Sequence, residues 1–348
     1  MNNRCAILPH PIDPFMLEYW LWGFRNVWYN EIDKLYIVAN SPIEKQVVDF
    51  VKQITKDDKI ELIYVPNQIE HGAGISLALE RVKEKYIVLL EDDCYIFKRG
   101  IVDQCFKWLE DDIYDIVGSK RGSCHPEILL KAQEIWGLSY EGEGDHGCNF
   151  WPNMVFLSKE RLLATDGNYG ARAWSKGEVI PPLNNHIVEH DQIHGDTFVW
   201  ASLQLRANCK PSRIRYIPQN HGHPDDLKHE EAHKYIFDGH AGYVHIGSLS
   251  SGIHGLLKDQ TGHPLAYRVS NPDLLGSPLP KNMTEMELFE FERRAQWWLT
   301  FVEFGDPTTL ADFRMLYNDA VMRLIGEMQL SIKRIRSRQR AYKKIGLW

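Results

Sequence analysis

Three consecutive carboxylates, Glu91-Asp92-Asp93, stand at the tip of the apolar run Tyr86-Ile87-Val88-Leu89-Leu90, and Cys94-Tyr95-Ile96-Phe97 turns apolar again behind them. Adjoining carboxylates repel one another, so such a triplet is stable where water or a hard cation neutralises it. The chemistry this suits is electrostatic: a divalent ion held by carboxylates stabilises a leaving group that gathers negative charge. A second acid, Asp196, follows Gly195 at the head of an amphipathic stretch, where a carboxylate can act as a helix cap or as a proton acceptor. Glu189 and Asp191 lie close enough in sequence to compete for the second role.

Histidines are the third resource, and eleven of the fifteen fall between His186 and His263. His221 and His223 follow the run Ile214 to Pro218, and His245 lies in Tyr243-Val244-His245-Ile246; either His223 or His245 could complete a carboxylate shell around Mn²⁺. His229-Glu230-Glu231-Ala232-His233 matches H-E-x-x-H, which on a helix would align two zinc ligands and a general base for a hydrolase. Its flanks are charged rather than apolar, and no glutamate occurs between Glu231 and Glu285 to supply a third ligand. His186, His190 and His194 share a spacing of four, but Pro181-Pro182 and Gly195 bracket them as a loop, and no metal is assigned to them.

The elements that must hold these groups alternate. Arg4 to Pro9, Lys34 to Ala39 and Ile60 to Pro66 read as strands, each followed by a stretch of helical periodicity: Phe15 to Tyr29, Ile43 to Ile54, and a helix opened by His71-Gly72-Ala73-Gly74. The strand Tyr86 to Leu90 comes next, with no polar alternation, as expected of a central strand covered on both faces. This order implies an α/β, doubly wound, mostly parallel sheet, whose ligands gather at the carboxyl ends of the strands. Gly72 and Gly74 could let backbone amides approach a phosphate, or could serve close packing. Helices over Ile101 to Leu109 and Pro126 to Trp136, strands over Ile113 to Gly118 and Asn149 to Leu157, a short helix capped by Ser158, and an irregular stretch from Ala171 to His194 follow along the chain.

A net charge of −7 argues against a nucleic-acid binder, which needs a basic surface. No signal peptide or apolar run of membrane-spanning length is expected, and six cysteines without C-x-x-C spacing read as buried thiols, so a cytoplasmic location is expected.

In the order and spacing of these landmarks, the chain resembles the GT-A glycosyltransferases, most closely the family 2-like branch, from about Arg4 to His245. The resemblance rests on the strand ending in Pro9, the Gly72/Gly74 helix start, Glu91-Asp92-Asp93, Met154 to Glu160 followed by Gly167, Asp196 opening a helix that ends in Leu205-Arg206, and a strand followed by histidines. It implies a GT-A, Rossmann-like fold and transfer of a sugar from a nucleoside-diphosphate sugar to a hydroxyl of a carbohydrate or glycolipid acceptor, as in polysaccharide biosynthesis. By the resemblance, the acidic tip is the DXD motif. Asp93 is then the ligand of Mn²⁺ or Mg²⁺, joined by His223 or His245, and Pro9, Asn40, Gly72, Gly74, Glu91 and Asp92 border the donor. Asp196 matches the base of inverting members. The stretch Asp196 to His223 is also similar to mannosylglycerate synthase, a retaining enzyme, so retention stands as the alternative. Phe150 and Trp151 are candidates for stacking on an acceptor sugar. A non-catalytic GT-A-like scaffold is the reading from another class, and the intact acidic tip argues against it.

The expected division is a GT-A domain over 1–265, its nucleotide-sugar half about 1–120 and its acceptor half about 121–265, followed by a helical C-terminal extension over 266–348. Thr284-Glu285-Met286-Glu287 has capping-box spacing ahead of the first extension helix, and Gly305-Asp306-Pro307 separates it from a second. These helices could pair with the catalytic domain or build a homo-oligomer. No acid follows Glu327, and the basic, apolar-ended tail from Lys333 to Trp348 suits either peripheral contact with an anionic membrane or another subunit.

Overall fold

A computed structural model of the chain describes residues 3–9, 17, 20–21, 23–39, 56–66, 69–92, 94–96, 98–119, 124–136, 150, 152–217, 219–220, 232–237 and 240–246. Beyond residue 217 the description is of backbone alone, apart from Tyr243. Asn40, the expected helix over 43–54, Asp93, Trp151, His221, His223, His229, Glu230 and the expected C-terminal helical extension with its basic tail lie outside the described residues.

Seven strands form the main sheet: β1 (Arg4–Pro9), β2 (Lys34–Ala39), β3 (Ile60–Tyr64), β4 (Tyr86–Leu90), β6 (Ile116–Ser119), β7 (Met154–Ser158) and β12 (Ile214–Ile217), in the order β12-β6-β7-β4-β1-β2-β3. All neighbours pair in parallel except β7, which runs antiparallel between β4 and β6. The mostly parallel α/β sheet is therefore as expected, with β4 and its acidic tip near the middle.

Alternation along the strands sorts the core into two layers. Ala6, Leu8, Leu35, Ile37, Val88 and Leu90 face one side, against α2 (Ile101–Glu110) and the aromatic N-terminal segment with Trp20, Phe24 and Trp28. Cys5, Ile7, Tyr36, Val38, Ile87 and Leu89 face the other, against α1 (His71–Arg81), α4 (Lys159–Leu163) and α5 (Val199–Ala207). Helices on both faces explain why the central strands are uninterrupted apolar runs. Each fully buried aliphatic side chain there contributes roughly 1.5–3 kcal/mol.

At the amino end of β1, away from the acidic tip, Arg4 is tied to Asp103 (2.7 Å) and Glu110 (2.5 Å) of α2. Both carboxylates favour the charged guanidinium and push its pKa up against the opposing effect of burial. Ser158 caps α4 as expected, its Oγ accepting the Arg161 N–H. Of the cysteines, Cys5, Cys94, Cys105 and Cys209 are buried and Cys124 is half-buried. No helix among the described residues is long and apolar enough to cross a membrane.

Three expectations are corrected. The stretch expected to be irregular carries paired strands: β8 (Arg172–Trp174) with β11 (Ile193–Gly195), and β9 (Val179–Ile180) with β10 (His186–Ile187). The helix expected from Asp196 begins later, at Val199, because Phe198 takes a left-handed conformation (φ 70°) and its N–H bonds the Tyr169 carbonyl instead of continuing a turn. His233 is not helical. It lies in β14 (Ala232–Phe237), within a four-stranded antiparallel sheet made with β13 (Gln219–Asn220), β15 (His240–Ile246) and β5 (Cys94–Ile96). H-E-x-x-H chemistry needs its two histidines one helical turn apart, so the zinc-hydrolase reading falls.

Candidate active site

The acidic tip is held from behind. The Glu91 carbonyl accepts the N–H of Cys94 (3.2 Å), which closes the turn between β4 and β5, and the indole N–H of Trp20 (3.1 Å). Trp20 is itself fixed edge-on against Trp28, with ring centroids 5.4 Å apart. Asp92 is buried, and the Glu91 carboxylate lies 4.0 Å from Nε2 of His71, the first residue of α1. Trp20 and His71 were not singled out as site residues from sequence; each is more than ten residues from the triplet, and only the fold brings them to it.

Backbone register carries one histidine to the same place. In β15, His245 pairs with Cys94, the residue after Asp93, and it also pairs with His233 on its other side. Cys94 and Tyr243 reinforce this seam, Sγ and Oη lying 3.7 Å apart. His245 is thus brought to the acidic tip, whereas His223 lies outside the described residues.

The glycines act through packing. A Cβ on Gly72 would lie 2.2 Å from the backbone nitrogen of Gly170 and 2.4 Å from the carbonyl carbon of Tyr169, so the start of α1 presses on that backbone. A Cβ on Gly74 would meet Cβ of Pro9 at 3.3 Å, which seats α1 against the end of β1. The Tyr169 carbonyl in turn accepts the Phe198 N–H (2.8 Å). A continuous seam therefore joins Glu91 and His71, through Gly72 and Tyr169, to the segment that carries Asp196. Asp196 is exposed, and among the described residues its Oδ1 accepts the adjoining Thr197 N–H alone (2.7 Å), so its side chain does not cap α5.

Phe150 is corrected as an acceptor platform. It is fully buried and stacks on Tyr216 with centroids 5.0 Å apart, leaving no face for a sugar. The aromatic pair Phe150-Trp151 carries no local sign of this, because Tyr216 lies on a strand 66 residues away.

Two of the clustered histidines have a structural task. α3 (Pro126–Trp136) opens with Glu127, whose carboxylate accepts from His186 Nε2 (2.7 Å) and His190 Nδ1 (2.7 Å), and from the backbone N–H groups of Glu189 (2.8 Å) and His190 (3.2 Å). Burial alone would raise the pKa of Glu127, but these donors outweigh it and bring the group down from 4.5 to about 2. A carboxylate with a depressed native pKa stabilises the fold in full above its unfolded value and loses that contribution as pH falls through the native one. Glu127→Gln turns a donor toward these donors and is expected to cost about 1–3 kcal/mol. The Tm difference between the two proteins should be level above pH 4.5 and shrink as pH falls toward 2.

For a divalent cation, the acidic tip offers the hard carboxylate oxygens such an ion prefers. Among the described residues no group of three or more histidine, cysteine or acidic side chains converges on one point, and Asp93 is not among those residues. Glu91 and Asp92 are the described part of any such shell.

No family model and no curated protein matches the chain. Solved structures similar to it include the mannosyltransferase PcManGT from Pyrobaculum calidifontis in complex with GDP-Man and Mn²⁺, at 11% identity over 94% of this chain and 85% of that one, with a TM-score of 0.40. TarS from S. aureus is 10% identical over 93% and 82%, with a TM-score of 0.39. Glucosyl-3-phosphoglycerate synthase from Mycobacterium tuberculosis is 10% identical over 61% and 68%, with a TM-score of 0.36. At such identities and scores these likenesses carry no argument about the chemistry of this chain.

Proposed function

We propose that this chain is a metal-dependent glycosyltransferase of GT-A type that moves a sugar from a nucleoside-diphosphate sugar to an acceptor hydroxyl with inversion. The observation that carries the reading is the acidic tip at the carboxyl end of central strand β4, joined by the Gly72 seam to the segment bearing Asp196. Ligands of open α/β sheets gather at that end of the strands. Glu91, Asp92 and Asp93 would hold Mn²⁺ or Mg²⁺, with His245 the histidine that backbone register favours. The bound ion would offset negative charge on the departing diphosphate. Asp196, exposed and with its carboxylate accepting the adjoining Thr197 N–H, takes the proton of the acceptor hydroxyl as the new bond forms. Trp20 keeps the acidic turn in shape by binding the Glu91 carbonyl, and His71 lies against the Glu91 carboxylate.

The test is thermal shift of the full chain with UDP-, GDP-, CMP- and dTDP-sugars, each with and without Mn²⁺. One nucleotide class is expected to raise Tm only when Mn²⁺ is present, and Asp93→Ala is expected to abolish that response. Stabilisation that is indifferent to the metal and to Asp93, or no response to any donor, would overturn the reading.

A further inference from the structure

Arg206, in the last turn of α5, is only 4% exposed, and its Nε is buried with no hydrogen-bond partner. Arg4, buried to the same degree, has carboxylates 2.7 and 2.5 Å away, and half-buried Arg161 and Arg213 each have one within 2.9 Å. Among the described residues Arg206 has none within ion-pair distance. Its guanidinium carbon lies 5.5 Å from the ring centroid of Trp136, at the end of α3, and 5.7 Å from that of Tyr216 in β12.

The magnitudes do not balance. Taking one ion out of water is costly even after the protein relaxes. A cation–π contact returns only part of that cost, and both rings stand near the ~6 Å outer limit of that attraction. A guanidinium so placed is left short of a counter-charge, and its planar fork of N–H donors suits an oxyanion.

We infer that Arg206 is an anion receptor, its guanidinium beside Trp136 and Tyr216 taking a carboxylate or phosphate group of a small ligand. The site is separate from the acidic tip. Tyr216 belongs to edge strand β12, three strands from β4 in the sheet order, which is about 14 Å at the usual strand spacing. Nothing in the inference depends on the chain being a glycosyltransferase.

The experiment measures Tm of the full chain in EDTA, which removes metal from the acidic tip, with inorganic phosphate or acetate added against chloride at matched ionic strength. Phosphate, acetate or both, in excess of Kd, are expected to raise Tm by about 2–4 °C. A response to phosphate alone assigns a phosphate ester, and a response to acetate alone a carboxylate. Arg206→Met should abolish the response, and Arg206→Lys should weaken affinity about tenfold because the fork is lost. Without added anion, Arg206→Met should hold or raise Tm, since an uncompensated buried charge has been removed. An unchanged response in Arg206→Met, no response in the parent chain, or a marked fall in Tm for Arg206→Met without anion would each overturn the inference; the last would mean that the guanidinium already holds a structural partner.

Discussion

Asp196→Asn is expected to lower kcat with the matching donor and acceptor by about 10²–10⁴-fold, the usual contribution of a positioned general base. The amide has the same shape and can still accept the Thr197 N–H, so the fold should be untouched. Nucleotide affinity and its Mn²⁺ dependence should also persist, because the acidic tip is a different element of the site. Steady-state kinetics combined with the donor thermal shift separate the two roles. If kcat survives in Asp196→Asn but collapses in Glu189→Gln or Asp191→Asn, the base is the neighbouring acid. An acid whose loss alters donor affinity rather than turnover would belong to the donor site.

Gly72→Ala should produce the largest loss of stability of any single methyl added at the site. Its Cβ would lie 2.2 Å from one backbone atom and 2.4 Å from another, and backbone cannot swing aside as a flexible side chain can. Overpacking of this kind costs about 1–3 kcal/mol and sometimes more, and the small helix-propensity gain of alanine at the first turn does not offset it. Gly74→Ala is the control. It meets Cβ of Pro9 at 3.3 Å, which needs only a few tenths of an ångström of yielding, and in a helix the change from glycine returns up to about 1 kcal/mol. Urea unfolding should therefore place Gly72→Ala well below the parent and Gly74→Ala within about 1 kcal/mol of it. Equal losses for the two would mean that the Tyr169–Gly170 seam is not the constraint. Because that seam also leads to Asp196, Gly72→Ala should lower turnover even at temperatures where the protein stays folded.

Much of this molecule could be read along the chain, and the residues explain which part. β1, β2, β4 and α3 fall where apolar runs and helical spacing put them, because a strand buried on both faces or a helix with one apolar stripe is written in neighbours two to four positions apart. The triplet at the end of β4 was legible for the same reason: consecutive carboxylates after a buried strand need no distant partner to stand out. The glycines were legible as special positions, but their reason was not. Gly72 faces the backbone of Gly170, 98 residues on, and no pattern around Gly72 reports it.

What the sequence determined by itself was the alternation of strands and helices, the central acidic tip and the acid ahead of α5. Tertiary structure decided the rest: that β7 enters antiparallel, that His233 is strand and Phe150 is core, that His186 and His190 clasp Glu127, that His245 comes to the acidic tip, and that Arg206 is buried beside two rings. The physical reason is common to all of them. Periodicity says which face a residue presents, but what that face meets depends on strand order and loop closure, which bring together groups dozens to more than a hundred residues apart.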